Sequence, residues 1–151
     1  MLTNKITFAR LMALLRSIDP SVPLPDELEP YLWKHMFDHG LCKKAKRLEE
    51  WGETPKNSYY VVTGIVIVFC FDKIGDRHTF RIYGANSIVA MECFMKHEKS
   101  EFMIWQCRGS VVLSISYGHM QEIYKMMDGM DRMGKQSDLQ IINGNIDQDF
   151  A

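Results

Sequence analysis

Turn signals interrupt the chain between Leu41 and Tyr117 about every ten residues. They are Gly52 to Asn57, Thr63-Gly64, Asp72 to Asp76, Gly84 to Ser87, Lys96 to Ser100 and Arg108 to Ser110. The segments between them are rich in β-branched and aromatic residues, which suit a pleated, half-buried surface. Strands this short with connections this short pair as antiparallel neighbours, because a parallel pair needs a crossover of about a dozen residues or more. The spacing therefore predicts a mainly β chain, an antiparallel jelly-roll-like β-roll, and excludes a βαβ fold. Ile65 to Phe71 is apolar at every position, which predicts a strand covered on both faces. His78, Phe80 and Ile82 alternate with Thr79, Arg81 and Tyr83, which predicts a half-exposed strand.

The period is helical on either side of this zone. From Asn4 to Ile18, the residues Phe8, Leu11, Met12 and Leu15 form one apolar face, and Asp19-Pro20 ends it. A second N-terminal helix is expected with Pro25 at its first position and Asp26, Glu27 and Glu29 at the positive end of its dipole. Leu28, Tyr31, Leu32 and Phe37 supply its apolar face, and Gly40 is expected to close it. After Tyr117 two stripes follow: Ile123, Met126, Met127, Met130 and Met133, then Leu139, Ile142, Ile146 and Phe150. Gly129, Gly134 and Asn143-Gly144-Asn145 weaken a continuous helix, so a break is expected near Gly134 to Ser137. The 151 residues suit one domain in three zones: N-terminal helices over 1–40, a roll over 41–117, and a C-terminal helical extension over 118–151.

Charge and cysteine usage narrow the function classes. The formal net charge is -1, and the zone after Ser116 carries three basic and six acidic residues, the wrong sign for a DNA-reading helix. No apolar run approaches the roughly 20 residues that span a bilayer, and Arg10 interrupts the N-terminal apolar stretch, so a cytoplasmic protein without a membrane partner is expected. Cys42, Cys70, Cys93 and Cys107 lack the close spacing of a metal or iron-sulfur motif and read as reduced structural thiols.

Helices, a roll of about eight strands, then a helix is an order that resembles the sensor domain of the Crp/Fnr transcription regulators, a cyclic-nucleotide-binding-like fold. The resemblance is carried by Tyr59-Tyr60-Val61-Val62-Thr63-Gly64, similar to the family's Tyr-x-Val-x-x-Gly, and by the Asp72 to Asp76 hairpin with Gly75. It continues through Arg81-Ile82-Tyr83-Gly84, Ser87-Ile88 leading to Phe94, and Val111 to Ser116. It covers Pro25 to Lys125. It implies an effector-sensing regulatory domain that is not an enzyme, a possible small-molecule effector, and a homodimer joined through the helix after the roll. The seam is then expected at Leu139, Ile142, Ile146 and Phe150. DNA contact requires a winged helix-turn-helix of about 60 further residues, while 35 follow Ser116. The chain is therefore expected either to be a piece of a longer regulator or a free-standing roll that acts through protein-protein contact.

In that family a glutamate takes the ribose hydroxyl, and an arginine with a short helix N-terminus holds the cyclic phosphate. The resemblance places the glutamate's position at Ala90 and the arginine's at Ser100. A phosphate removed from water needs counter-charge or preorganised donors. Losing one partner of a buried charge pair costs about 3 to 5 kcal/mol, roughly two to four decades of affinity. No cofactor is expected, and cAMP or cGMP is not expected to bind by the family's mechanism. Glu92 lies two residues from Ala90 and Lys99 one residue from Ser100, where an odd shift changes face, and neither is expected to substitute. The ligand-binding candidates beside the cassette are Arg81, Tyr83, Asn86, Ser87, Ala90, Lys99 and Ser100. Arg81 reads either as an anion ligand or as a charge on the exposed face of an alternating strand. A pocket plugged by Met91, Phe94 and Phe102 is equally compatible.

Other constellations are weak. His35 and His39 are four apart at a predicted helix end, with no third ligand to complete a metal site. His97 near Glu92 and Cys93 lacks a nucleophile elbow. His78 stands alone where a cupin enzyme needs a His-x-His pair. Lys43, Lys44, Lys46 and Arg47 lack interleaved aromatics and read as a solvated strand face. No catalytic residues and no metal ligands are expected.

Overall fold

The computed structural model describes residues 2–126, in which eight strands form two four-stranded antiparallel sheets. The order is α1 (Lys5–Ile18), α2 (Leu28–His35), β1 (Phe37–Leu41), β2 (Lys46–Glu49), β3 (Asn57–Thr63), β4 (Val66–Phe71), β5 (Arg77–Tyr83), β6 (Ser87–Val89), α3 (Glu92–Met95), β7 (Phe102–Gln106), β8 (Val111–Ser116) and α4 (Tyr117–Met126). One sheet runs β1-β8-β3-β6 and the other β2-β7-β4-β5. The Leu139, Ile142, Ile146 and Phe150 seam and the expected break near Gly134 lie outside the described residues. Among the described residues no helix is long and apolar enough to cross a membrane.

α1 starts as its sequence dictates, since Asn4 Oδ1 accepts the Thr7 N–H at 3.0 Å and satisfies one of the first turn's orphan donors. α2 is shorter than expected. The Leu28 N–H donates to the Pro25 carbonyl, so Pro25 lies in a turn ahead of the helix, and the helix ends at His35. Gly40 does not close it. Gly40 sits within β1 at φ +71°, where the register to β8 breaks between Asp38 and Leu41. Phe37 belongs to β1 and is 61% exposed rather than part of a helix face. The ladder available on the edge of β8 outweighs local helix propensity here, and the roll begins at Phe37. Of the basic cluster, only Lys46 and Arg47 are on a strand, β2; Lys43 and Lys44 lie in the bend before it.

The strand covered on both faces is β3, not β4. Ser58 to Val62 are buried at five successive positions. Tyr60 and Val62, with Leu113 and Ile115 of β8, meet Phe8, Leu11, Met12, Leu28, Leu32 and Ile123 of the helices. Tyr59 and Val61, with Val112, face the roll interior beside Val66, Val68, Tyr83, Val89 and Ile104. β4 buries Val66 and Val68, while Ile65 and Phe71 are exposed because the helices pack on the other sheet. Its outward aromatics are partly shielded by side chains: the Arg77 guanidinium lies 4.3 Å over Phe69, and Trp51 meets Phe71 edge-on at 6.2 Å.

Two turns show why their residues are needed. At the β3–β4 turn Gly64 adopts φ +81°, and a Cβ there would sit 2.5 Å from Ser110 Cα. At the β4–β5 hairpin Asp72 Oδ1 accepts the Ile74 and Asp76 N–H groups. With His78 Nε2 at 2.7 Å from its other oxygen, the Asp72 carboxyl is held below its ordinary range, chiefly by that histidine. β8 passes directly into α4, where Ser116 Oγ accepts the His119 N–H as an N-cap.

Candidate functional site

The β6–α3–β7 segment holds the residues that the resemblance assigns to a nucleotide cassette, and neither Ala90 nor Ser100 carries charge. Ala90 follows β6, is 6% exposed, and offers only a methyl group. Ser100 is 4% exposed and fully engaged. Its hydroxyl donates to the Phe102 carbonyl and accepts the Phe102 N–H. Its backbone N–H donates to the Glu53 carbonyl at 2.9 Å and its carbonyl accepts the Gly52 N–H at 2.8 Å, which ties this loop to the β2–β3 loop. Glu92 and Lys99 are both exposed. Glu92 is 2.8 Å from Lys96 Nζ, an (i, i+4) pair that holds its carboxyl below the ordinary range.

The seven sequence candidates do not converge. Arg81 and Tyr83 oppose Val68 and Val66, both fully buried, and cross-strand partners share a face. The strand register skips at Phe80, a bulge that breaks the alternation read from sequence. Arg81 is therefore on the inner face and half-buried, with its guanidinium 4.6 Å over the Phe80 ring, not on an exposed face. Tyr83 is buried, and its hydroxyl donates to Met91 Sδ at 3.7 Å. Ser87 opposes Val61 and is half-buried. Asn86, in contrast, belongs to the helix side: its φ is +62°, its N–H donates to the Val61 carbonyl, and its Oδ1 accepts the Tyr60 hydroxyl at 2.6 Å. Met91 and Phe102 pack into the roll interior, while Phe94 is buried edge-on against Tyr117.

A buried carboxylate was not legible in the sequence. Glu49 is 7% exposed and accepts the Tyr59 hydroxyl. The register skips between Arg47 and Glu49, so Glu49 opposes Ile104 and turns inward beside Leu48. Burial pushes its carboxyl up, opposed by hydrogen bonds from Tyr59 and from the Asn57 and Lys56 backbone. Its charge also reaches Cys93 of α3, whose thiol is pushed up first by burial and to a lesser extent by Glu49. Glu49 thus sets a carboxyl group, not a counter-charge for a phosphate, beside this segment.

His35 and His39 do not form a pair. His39 Nε2 is hydrogen-bonded to Ser114 Oγ at 2.8 Å, whereas the His35 ring lies 4.4 Å from that of His119 on α4 and 4.3 Å from Tyr31. His97 stacks on Tyr117 at 4.0 Å. Among the described residues no three metal-ligating side chains gather. On the far side of β3, between the sheet and α1, α2 and α4, a cavity of about 80 Å3 is lined almost wholly by apolar groups, with Ala90 at its wall.

Two antiparallel four-stranded sheets, a short helix between the sixth and seventh strands, and helices on one sheet define the cyclic-nucleotide-binding type of β-roll. Comparison with solved structures finds this fold in cyclic nucleotide-binding domains and in Crp/Fnr-type regulators. It superposes on DNR from Pseudomonas aeruginosa with a TM-score of 0.73 at 14% identity, covering 98% of this chain and 63% of that one. For a cyclic nucleotide-binding domain from Methylobacillus flagellatus the TM-score is 0.71 at 14% identity, over 91% and 76% of the two chains. For the Thermus thermophilus catabolite activator protein it is 0.61 at 13% identity, over 79% of this chain and 53% of that protein. No protein-family model and no curated protein matches the sequence.

Proposed function

We propose that this chain is the effector-sensing module of a Crp/Fnr-type regulator, non-enzymatic, without a cofactor, and not a receptor for cAMP or cGMP through the family's glutamate and arginine. The observation that carries the reading is the cassette itself: Ala90 and a fully hydrogen-bonded Ser100 at the two recognition positions, with buried Glu49 close by. The fold supports a sensing domain whose output is α4, because β8 enters that helix without a break. Dimerisation through the residues that follow α4, DNA contact through a separate helix-turn-helix domain, and a cytoplasmic location complete the reading. A second reading, a roll that acts by protein contact, is favoured by the exposed Trp51 and Phe71, which touch each other, and by Ile74 at the neighbouring hairpin.

A thermal-shift titration with cAMP and cGMP at 1 mM tests the proposal. A ligand at about a hundred times its Kd adds about 2.7 kcal/mol, or roughly 5 to 10 °C for a domain of this size. No shift is expected. A saturable shift of that size with either nucleotide overturns the reading of the cassette.

A further inference from the structure

We infer that the stacked imidazoles of His35 and His119 are a proton-operated latch: neutral, they hold the start of α4 against the end of α2, and protonated, they release it. His35 is the last residue of α2 and His119 the third of α4. Their ring centroids are 4.4 Å apart with the planes inclined by 31°, and the Tyr31 ring lies 4.3 Å from that of His35. Both histidines are half-buried, so the contact is covered yet within reach of protons from solvent. Three features make it depend on charge.

The first is the set of charges around the pair. Burial lowers the His35 imidazole from its ordinary range, and His119, Lys34 and the N-terminal amine add to that, all of them positive when protonated. The acid on this side, Glu122 of α4, acts on Tyr31 and has its Oε1 3.2 Å from Lys125 Nζ, so its charge is already shared. Two imidazolium rings at this separation repel, and a half-buried pair is screened less than charges in open solvent.

The second is the hydrogen bonding at the start of α4. Ser116 Oγ accepts the His119 N–H at 3.2 Å and lies 2.9 Å from His119 Nδ1. That oxygen accepts from the backbone, so its own proton is free to go to Nδ1, which suits a neutral ring with its hydrogen on Nε2. Protonation turns Nδ1 into a donor, and the Ser116 hydroxyl loses the acceptor for its proton. The same hydroxyl is the N-cap, so the cost falls on the first turn. The third feature is the pair of helix dipoles. His35 lies at the negative end of α2, which favours a cation, and His119 at the positive end of α4, which disfavours one. The first proton is therefore expected on His35, and the second, on His119, works against α4. That a loosened α4 is read as a signal rests on the sensor proposal above; that the latch opens does not.

Hydrogen exchange of the whole chain, followed by mass spectrometry at about pH 7.5 and about pH 5 and corrected for the intrinsic pH dependence of exchange, tests the latch. The amides of Gln121 to Tyr124 bond back to the first turn of α4, and their protection should fall roughly 10-fold or more at the lower pH, while the β3 amides of Ser58 to Val62 keep theirs. His35→Phe keeps a ring against Tyr31 and His119 but takes no proton, and it should remove the loss. Should that variant fail to fold, imidazole NMR of the wild type decides: the two rings should titrate as a coupled pair, each responding at the midpoint of the other. No loss at the lower pH, an equal loss in β3, a loss that persists in His35→Phe, or two independent titrations overturns the latch. None of these measurements involves a nucleotide, so they are independent of the titration that bears on the sensor reading.

Discussion

Replacing Gly64 by alanine tests whether the roll is held closed by the approach of the β3–β4 turn to the β7–β8 turn. An added Cβ would lie 2.5 Å from Ser110 Cα, 2.6 Å from its Cβ and 3.0 Å from its N. None of these is the free end of a flexible side chain. Ser110 is also fully buried and pinned. Its carbonyl accepts the Cys42 N–H at 2.9 Å and the Gln106 Nε2 at 3.3 Å, and its own N–H donates to the Cys107 carbonyl. The left-handed φ of +81° adds a cost of about 1 to 2 kcal/mol for any residue with a Cβ. Overpacking against a fixed neighbour adds about 1 to 3 kcal/mol. With roughly 3 to 4 °C per kcal/mol at this chain length, Gly64→Ala should lower Tm by roughly 6 to 20 °C. Gly75→Ala is the internal control, since Gly75 has a similar φ of +91° but open space around it. It should lose only the conformational part, roughly 3 to 8 °C. Circular dichroism melts of both variants decide the matter. Values that agree within about 2 °C would show that Ser110 gives way freely and that close approach plays no part.

Three further outcomes follow from the buried groups. Glu49 has its carboxyl raised by burial, so the folded state binds that proton more tightly than the unfolded chain does. The stability this supplies is full below the ordinary value of 4.5 and is lost as pH rises through the folded value. Urea melts of wild type and Glu49→Gln at pH 4.5 and 7 should therefore show the variant gaining on wild type at the higher pH, and an equal gap at both would refute it. His35 has its imidazole lowered, first by burial and then by His119, so stability is lost as pH falls through its folded value. His119→Phe keeps an aromatic ring against α2 and should make the loss between pH 7 and 5 shallower; an unchanged slope would count against the pair. Phe94→Ala removes a side chain only 1% exposed and should cost about 3 to 5 kcal/mol in a denaturant titration, whereas a loss below about 1 would mean that the site collapses around the gap.

The roll was legible because its information is local. Turn residues mark their own positions, and Gly64, Gly75 and Asp72 each do at the backbone what their residue type suggests. Face assignments were less so, because alternation fails wherever the register skips. Two skips, at Phe80 and at Leu48, send Arg81 and Glu49 inward, and both depend on pairing with a strand distant in sequence. β4 misled for a related reason: seven apolar residues in a row do not say whether a second layer is present, and the helices chose the other sheet. The cavity was invisible, since it arises from side chains of α1, α2, α4, β3 and β8 that meet only in the fold, and from a single small residue, Ala90.

The same β3 that hides two compartments from the sequence also joins them in the structure. Tyr59 and Val61 line the roll and lie next to Ser58 and Tyr60 on the helix side, so neither set moves along the strand without the other. β3 pairs with β8 from Asn57 opposite Ser116 to Thr63 opposite Val111, with one register shift between Val61 and Thr63, and β8 runs on into α4. Close-packed layers transmit displacement rather than absorb it. Displacements at Ser58 and Tyr60 on the helix side and at Tyr59 on the roll side therefore act on one strand pair from its two faces. Because β8 continues without a break into α4, that helix is the element a displacement from either face reaches first.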